Sequence, residues 1–428
     1  MATDERLAIH GGSPAMRSPL PPMYPGGLRI GEEEEAALLA VLRSKRLFRY
    51  YGPDVGPSQV QELERTFAAH FGVKHALAVT SGTAALMCAL VGLGVGPGDE
   101  VIVPAYTWIA SASAVIAVGA VPVIAAVDAS LTLDPASVEA NRTSYTRAIM
   151  AVHMRGAPAA MEALQTIAAA HGLAIIEDAA QACGGSYRGK RLGTIGDVGA
   201  FSFQYNKIIT SGEGGMLVTD DDAIYRRAQM YHDVVGGKRN GVPAEAIIPG
   251  VNFRMSELHG AVALAQLGKL EGILADTRRR KGLIKSGLVE VMRDKDVPFR
   301  ELHDTHGDTG IALAFFLHTG EQARAVARAL TAEGIPAHTL YAPDVADYHI
   351  YAHWSPILNQ RTLTPGGGPW RAHPRPVTYA PDLYPESLDL LERAVQLDVS
   401  PELTDAHIGD LVAGVTKVLE ALVEPGRR

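Results

Sequence analysis

The sequence predicts an α/β fold, with a mostly parallel sheet covered by helices and a smaller C-terminal α/β domain behind it. Three observations carry this expectation. Short apolar segments alternate with helix-patterned ones from Ala76 to Thr219, the signature of a parallel sheet buried on both faces. After about Ala275 the pattern changes, and the strand candidate Ile311–Leu317 alternates with the helices Glu321–Glu333 and Leu403–Leu422. The chain has 428 residues, enough for one large core domain and one smaller one. The expected division is 1–275 for an N-terminal segment with the large domain, and 276–428 for the small domain.

The elements follow in order. The chain to about Gly56 is rich in Pro and Gly, apart from the helix-like Glu32–Arg43. In Gln59–Phe71, Val60, Leu63, Phe67 and Phe71 fall on one helical face. Ala76–Thr80 reads as a strand and Ala84–Leu93 as a helix closed by Gly94. Strands at Glu100–Val103, Arg147–Val152 and Leu173–Glu177 follow, the last two separated by the helix Ala159–Ala170. Gly199–Phe203 and Gly215–Thr219 complete the strands of the first part. Ser256–Leu270 is apolar at helical spacing and predicts a long linker helix, whereas 341–385 lacks periodicity and reads as loop.

Composition excludes several functions. The net charge of −8 leaves no basic excess for a nucleic-acid surface, and short basic groups such as Arg278–Lys281 read as a solvated helix face. The polar start Met1–Arg6 has no signal-peptide core. Val101–Val127 is uncharged and long enough to span a bilayer. It contains Pro104, Gly119 and Pro122 and divides better into strand, helix and strand, so no membrane span is expected. Two cysteines, Cys88 and Cys183, form no disulfide framework and fit a reducing, cytoplasmic compartment.

The strongest local signal is Val198–Gly215, VGAFSFQYNKIITSGEGG. A strand ends at Ser202, Lys207 follows five residues later among small and uncharged neighbours, and a Gly/Glu cluster leads into the next strand. Burial in an apolar pocket lowers a lysine pKa, and a neutral amine can attack an aldehyde. Surface lysines are the commoner kind, so Lys207 takes its meaning from its partners. Asp178, in the run Glu177-Asp178-Ala179-Ala180-Gln181, lies at a strand end, where open α/β sheets bind ligands. A carboxylate there suits the pyridine nitrogen of pyridoxal 5′-phosphate (PLP), which it keeps protonated and electron-accepting; a helix N-cap is the other use of such an Asp. Thr80–Leu86, TSGTAAL, places a helix start after a strand, where free N–H groups suit a phosphate and where an ordinary Thr-capped turn looks the same. Pro104–Trp108 offers Trp108 or Tyr106 as an aromatic face for a flat ring, or as core. His349 and His353 have a zinc-pair spacing, but the segment is flanked by proline and offers no third ligand, so no metal is expected.

These elements, in this order, resemble the DegT/DnrJ/EryC1/StrS aminotransferases, a branch of the fold-type I PLP-dependent transferases of aspartate aminotransferase-like fold. The resemblance begins at Leu7–Gly12 and includes Ser81–Leu86 and Glu177–Gln181. It continues through Phe201–Phe203 with Lys207, Gly212–Gly215 and Asn252–Met255 to the tail Leu397–Leu403. It implies that Lys207 carries the cofactor covalently and that Asp178 pairs with its ring nitrogen. Trp108 would stack on the ring, Gln181 would hold ring substituents, and Gly82, Thr83 and Ser202 would hold the phosphate. Asn252 matches a residue lent to the neighbouring subunit's phosphate, which implies a homodimer with shared sites. The substrates implied are a keto-sugar or keto-cyclitol and an amino-acid donor, glutamine or glutamate, reacting by a ping-pong route in amino-sugar, cell-surface or antibiotic biosynthesis.

Two features depart from the common pattern or bear on the substrate. His153-Met154-Arg155-Gly156 replaces the usual His-Leu-Tyr-Gly, so that Arg155 is placed either to grip a carboxylate or to form an interface salt bridge. Tyr50, in Phe48-Arg49-Tyr50-Tyr51-Gly52, joins His153 and Arg155 as a substrate candidate. Lysine at 207, where the family's sugar dehydratases carry histidine, favours transamination over another PLP reaction such as dehydration or oxidation. A non-catalytic PLP or sugar sensor would not need the electron-accepting arrangement.

Overall fold

The apolar runs between residues 75 and 219 assemble into one sheet. The chain is seen here in a computed structural model that describes residues 6–50, 56, 58–362 and 364–426. Tyr51 and Gly52, and the polar start 1–5, lie outside the described residues. The strands are β1 (His75–Val79), β2 (Glu100–Pro104), β3 (Val121–Ala125), β4 (Thr146–Val152) and β5 (Ala174–Asp178), with a two-stranded hairpin of β6 (Ser186–Tyr187) and β7 (Lys190–Arg191). β8 (Val198–Ser202) and β9 (Gly215–Thr219) complete the large sheet, whose order is β1-β9-β8-β5-β4-β2-β3.

Pairing is parallel between β2 and β3, β2 and β4, β4 and β5, and β5 and β8. β9 runs antiparallel to both its neighbours. The reason lies in its connection: parallel neighbours need a crossover, usually a helix, and the link from Ser202 to Gly215 carries no helix. That link carries Lys207. The parallel strands therefore present Pro104, Val152, Asp178 and Ser202 at one edge of the sheet, their carboxyl ends, where such folds place ligands.

Val101–Val127 divides as its Pro and Gly residues imply, into β2, the helix Ala110–Ala117 and β3. Among the described residues no helix is long and apolar enough to cross a membrane.

A second sheet has the order β10-β12-β11, from β10 (Ala312–Phe316), β11 (Ala337–Thr339) and β12 (Ala394–Asp398), all antiparallel. Val326, Leu330, Val415 and Leu419, from the helices Gly320–Ala332 and Asp405–Leu422, bury a separate core against it.

Two segments depart from expectation. The single linker helix is two, Glu257–Leu267 and Leu270–Asp294. Gly268 is a weak helix former, and Lys269 is drawn out by Glu34 Oε2 and the Arg29 carbonyl, each at 2.7 Å. The stretch 341–385 has only short helical turns, but Tyr351, Trp354 and Trp370 are buried in the core of the large sheet. Tyr379 and Tyr384 donate their hydroxyls to the carbonyls of Pro122 (2.6 Å) and Ile124 (2.7 Å) on β3, which covers an edge strand that would otherwise be open to pairing.

Candidate active site

At the carboxyl edge of the large sheet lies a cavity of about 430 Å³, within the range of small-molecule sites. Its wall includes Gly82, Thr83, Trp108, Asp178, Gln181, Ser202 and Lys207, which the sequence singled out from four separate motifs.

One end is the start of the helix Gly82–Gly92. Ser81 caps it, its hydroxyl accepting the Ala84 N–H at 3.1 Å, and leaves the N–H groups of Gly82 and Thr83 without intrahelical acceptors. A Cβ on Gly82 would lie 2.8 Å from the Ser202 Cβ, so only glycine lets the helix start sit against the end of β8. N–H groups, a helix dipole and the Ser202 hydroxyl thus converge on a small cradle, the donor set of a phosphate.

Asp178 is buried at the end of β5. Its Oδ2 accepts the Ser111 hydroxyl at 2.8 Å and its Oδ1 the Ala180 N–H at 3.1 Å. The Ser111 hydroxyl is 2.8 Å from that of Thr107. The carboxylate is thus fixed by a short hydroxyl chain that the sequence did not reveal. Only Ser111's position, one helical turn beyond Trp108, hinted at it.

Lys207 is partly buried, and among the described residues its Nζ has no hydrogen bond or ion pair. Burial lowers its pKa from the ordinary lysine value; Asp178 opposes that, and the positive charge of Arg155 adds to it. A lysine left without a partner and pushed towards its neutral form is a nucleophile or base in waiting. Trp108 is 46% exposed and lines the cavity. Gln181 Oε1 is fixed by the Arg155 N–H at 3.1 Å.

Besides Tyr106, which is buried in the core, and His353, four residues flagged in the sequence do not line this cavity. His153 is fully buried: its Nε2 donates to Glu177 Oε2 at 2.9 Å and its Nδ1 accepts the Ala159 N–H at 3.1 Å. Glu177 also accepts the N–H groups of Gly193, Ile195 and Gly196, so the pair staples a loop. Arg155 adopts a left-handed backbone (φ 54°), and its buried Nε has no hydrogen-bond partner. The Tyr50 hydroxyl meets His232 Nε2 at 3.0 Å, with the Arg239 guanidinium over its ring. Asn252 is exposed, and its side chain holds the Arg254 N–H at 3.4 Å.

His349 lines the cavity; His353 accepts the Asp347 N–H instead. Among the described residues no group of three or more His, Cys, Asp or Glu is placed to hold a metal ion. Cys88 and Cys183 are buried and unpaired, and burial pushes both thiols up, away from nucleophilic use.

Known proteins resemble this chain in sequence and fold. The family model for DegT/DnrJ/EryC1/StrS aminotransferases matches residues 28–362. The L-glutamine:2-deoxy-scyllo-inosose aminotransferase of Streptomyces paromomycinus is 39% identical over 355 residues, 79% of this chain and 81% of that protein. The GDP-perosamine synthase of Caulobacter vibrioides is 43% identical over 235 residues, 54% of this chain and 62% of its own. Among solved structures, 3-amino-5-hydroxybenzoic acid (AHBA) synthase superposes with a TM-score of 0.78 at 30% identity, covering 95% of this chain and all of that one.

Proposed function

Because the chain belongs to the DegT/DnrJ/EryC1/StrS aminotransferase family, we propose that it binds PLP and moves an amino group from an amino acid to a keto-sugar or keto-cyclitol. Members of this family are PLP-dependent aminotransferases, and the chain shares their fold-type I architecture. The observation that carries the reading is the presence, in one cavity, of Lys207 without a hydrogen bond or ion pair and of the Asp178 carboxylate, anchored by one hydrogen bond at each oxygen.

The chemistry of the lining residues supports a place for each part of the cofactor. Gly82, Thr83 and Ser202 would hold its phosphate, Trp108 would cover its ring, Gln181 would hold the ring substituents, and Asp178 would meet its nitrogen. The cofactor supplies an aldehyde carbon that exchanges for an amine and a ring that takes up an electron pair. Ser111 would hold the Asp178 carboxylate in place for the ring nitrogen. Lys207 Nζ takes the proton from the donor's α-carbon, and in the reverse half-reaction gives a proton to the acceptor carbon.

We assign glutamine as donor and a keto-cyclitol as acceptor, because several relatives, each matching 79% of the chain, are named for both. Arg155 and Tyr50 fall to the substrate side of the reading, and His153 to the support of the sheet. Asn252, exposed and outside the cavity, is assigned to the phosphate of a partner subunit in a homodimer, with 1–275 as the cofactor-binding domain and 276–428 as the small one. The test is a coupled assay. Protein loaded with PLP and given glutamine and 2-deoxy-scyllo-inosose should yield an amino-cyclitol and the 2-oxo acid of glutamine. Loaded protein that passes nitrogen to no ketone contradicts the proposal.

A further inference from the structure

Segment 347–350 is laced to the segment that carries Trp108. The Thr107 N–H donates to the His349 carbonyl and the Ile109 N–H to the Tyr348 carbonyl, each at 2.9 Å, and Tyr106 pairs with Ile350. Trp354 Nε1 donates to the Tyr348 carbonyl at 2.8 Å. These bonds fix the His349 ring 5.0 Å from that of Trp108, in the wall of the cavity that also contains Lys207.

His349 is held by one carboxylate oxygen. Its backbone N–H (2.9 Å) and its Nδ1 (2.8 Å) both meet Asp347 Oδ1. An ionised carboxylate only accepts, so Nδ1 carries the proton and Nε2 of the neutral ring presents a lone pair. Among the described residues Nε2 has no hydrogen-bond partner, and it is not among the buried orphaned atoms, so it keeps accessible surface on a ring that stands in the cavity wall. Burial keeps the imidazole pKa below its usual value, and the charges of Arg155 and Lys207 add to this against the pull of Asp347. The site therefore holds a second neutral base, fixed in tautomer and direction, in addition to Lys207.

We propose that Asp347 and His349 form a proton-relay pair serving the exchange of nitrogen for oxygen at the substrate carbon, a task separate from the carbon-proton transfer of Lys207. This rests on the aminotransferase reading. In the donor half, the oxygen of a water molecule bonds to the donor carbon, the carbon–nitrogen bond breaks, and both water hydrogens finish on the nitrogen. Nε2 takes up each proton and returns it, so the pair ends as it began and nothing is oxidised or reduced in the exchange. In the acceptor half the same steps run backwards, and the ketone oxygen leaves as water.

The test separates the two tasks. Wild type, His349→Gln and Asp347→Asn, loaded with PLP, are given glutamine in D2O. Exchange of the donor α-hydrogen reads Lys207; release of the 2-oxo acid in a single turnover reads the relay. In His349→Gln exchange should stay within about threefold of wild type, while oxo-acid release slows about 10²–10⁴-fold, the usual worth of general acid–base catalysis. Asp347→Asn should slow release by at least about tenfold through loss of the tautomer, and it serves as the test if His349→Gln does not fold. Release at the wild-type rate, or equal slowing of both readouts, overturns the inference. Wild type that shows neither exchange nor release defeats the aminotransferase reading itself, and the relay with it. A readout independent of turnover is ¹⁵N NMR of the cofactor-free protein, which should find the His349 proton on Nδ1. A proton on Nε2 overturns the relay.

Discussion

Ser111 donates its hydroxyl hydrogen to Asp178 Oδ2 across 2.8 Å, and both side chains are buried at the carboxyl edge of the sheet. A hydrogen bond to a charged group contributes about 1.5–3 kcal/mol. Ser111→Ala should therefore weaken cofactor retention roughly tenfold or more, measured by equilibrium dialysis of PLP, with the fold intact by circular dichroism. Unchanged retention would mean that the Ser111 bond adds nothing to the hold on the ring.

The Lys207 amine reacts in its neutral form, so its capture of PLP should speed up as pH rises through the lowered lysine pKa, and level off above it. Arg155 pushes that pKa down and Asp178 pushes it up. Arg155→Met, which keeps the side-chain length and meets the same left-handed backbone, should move the midpoint to higher pH. Asp178→Asn should move it lower. Stopped-flow absorbance of the cofactor-free protein mixed with PLP across a pH series measures both.

Gly82→Ala places a methyl group 2.8 Å from the Ser202 Cβ. Helix start and strand end must then separate, at a cost of about 1–3 kcal/mol for overpacking. The expected result is a lower melting temperature together with a larger loss of affinity for PLP than for pyridoxal, which lacks the phosphate. Equal losses for the two ligands would show that the cradle does not read the phosphate.

His153 and Glu177 form a buried pair away from the cavity. His153→Gln should reduce unfolding free energy by about 1–3 kcal/mol, read by urea titration, and leave KM for donor and acceptor within about twofold. A selective rise in either KM would return His153 to the substrate site.

Shared sites predict complementation. Lys207→Ala and Asn252→Ala proteins, each inactive, should regain activity when refolded together. One site of each mixed dimer would then be complete, which sets a ceiling of about a quarter of wild-type activity for random pairing of a two-fold dimer. No recovery, with mixed dimers verified by mass spectrometry, would place Asn252 outside the partner's site.

The sequence revealed those parts of the site that lie in short contiguous motifs at strand ends. Lys207, Asp178, Ser202 and the Gly82 turn belong to that class, because a strand followed by a turn fixes where the backbone goes. The direction of each side chain was harder to read. Along a strand, neighbours point to opposite faces. On β5 Asp178 faces the cavity while Glu177 faces away, and beside them Val152 lines the cavity while His153 turns to Glu177. Proximity to a strand end therefore identified His153 as a candidate and could not say that its ring points away. The cavity roles of Ser111 and His349 escaped for another reason, although His349 was noticed as half of a zinc-spaced pair. They reach the cavity only through tertiary contacts, His349 from a segment without periodicity, tied down by hydrogen bonds to residues more than two hundred positions earlier. The break at Gly268–Lys269 escaped because apolar spacing continues across it, and the groups that draw Lys269 aside, Glu34 and the Arg29 carbonyl, lie far away in sequence.

The most direct measurement is the position of the covalent bond to the cofactor. Protein loaded with PLP is reduced with borohydride, digested and mapped by mass spectrometry. The account predicts a pyridoxyl group on the peptide containing Lys207 and nowhere else. A label on another lysine, or none on protein that has bound the cofactor, contradicts it.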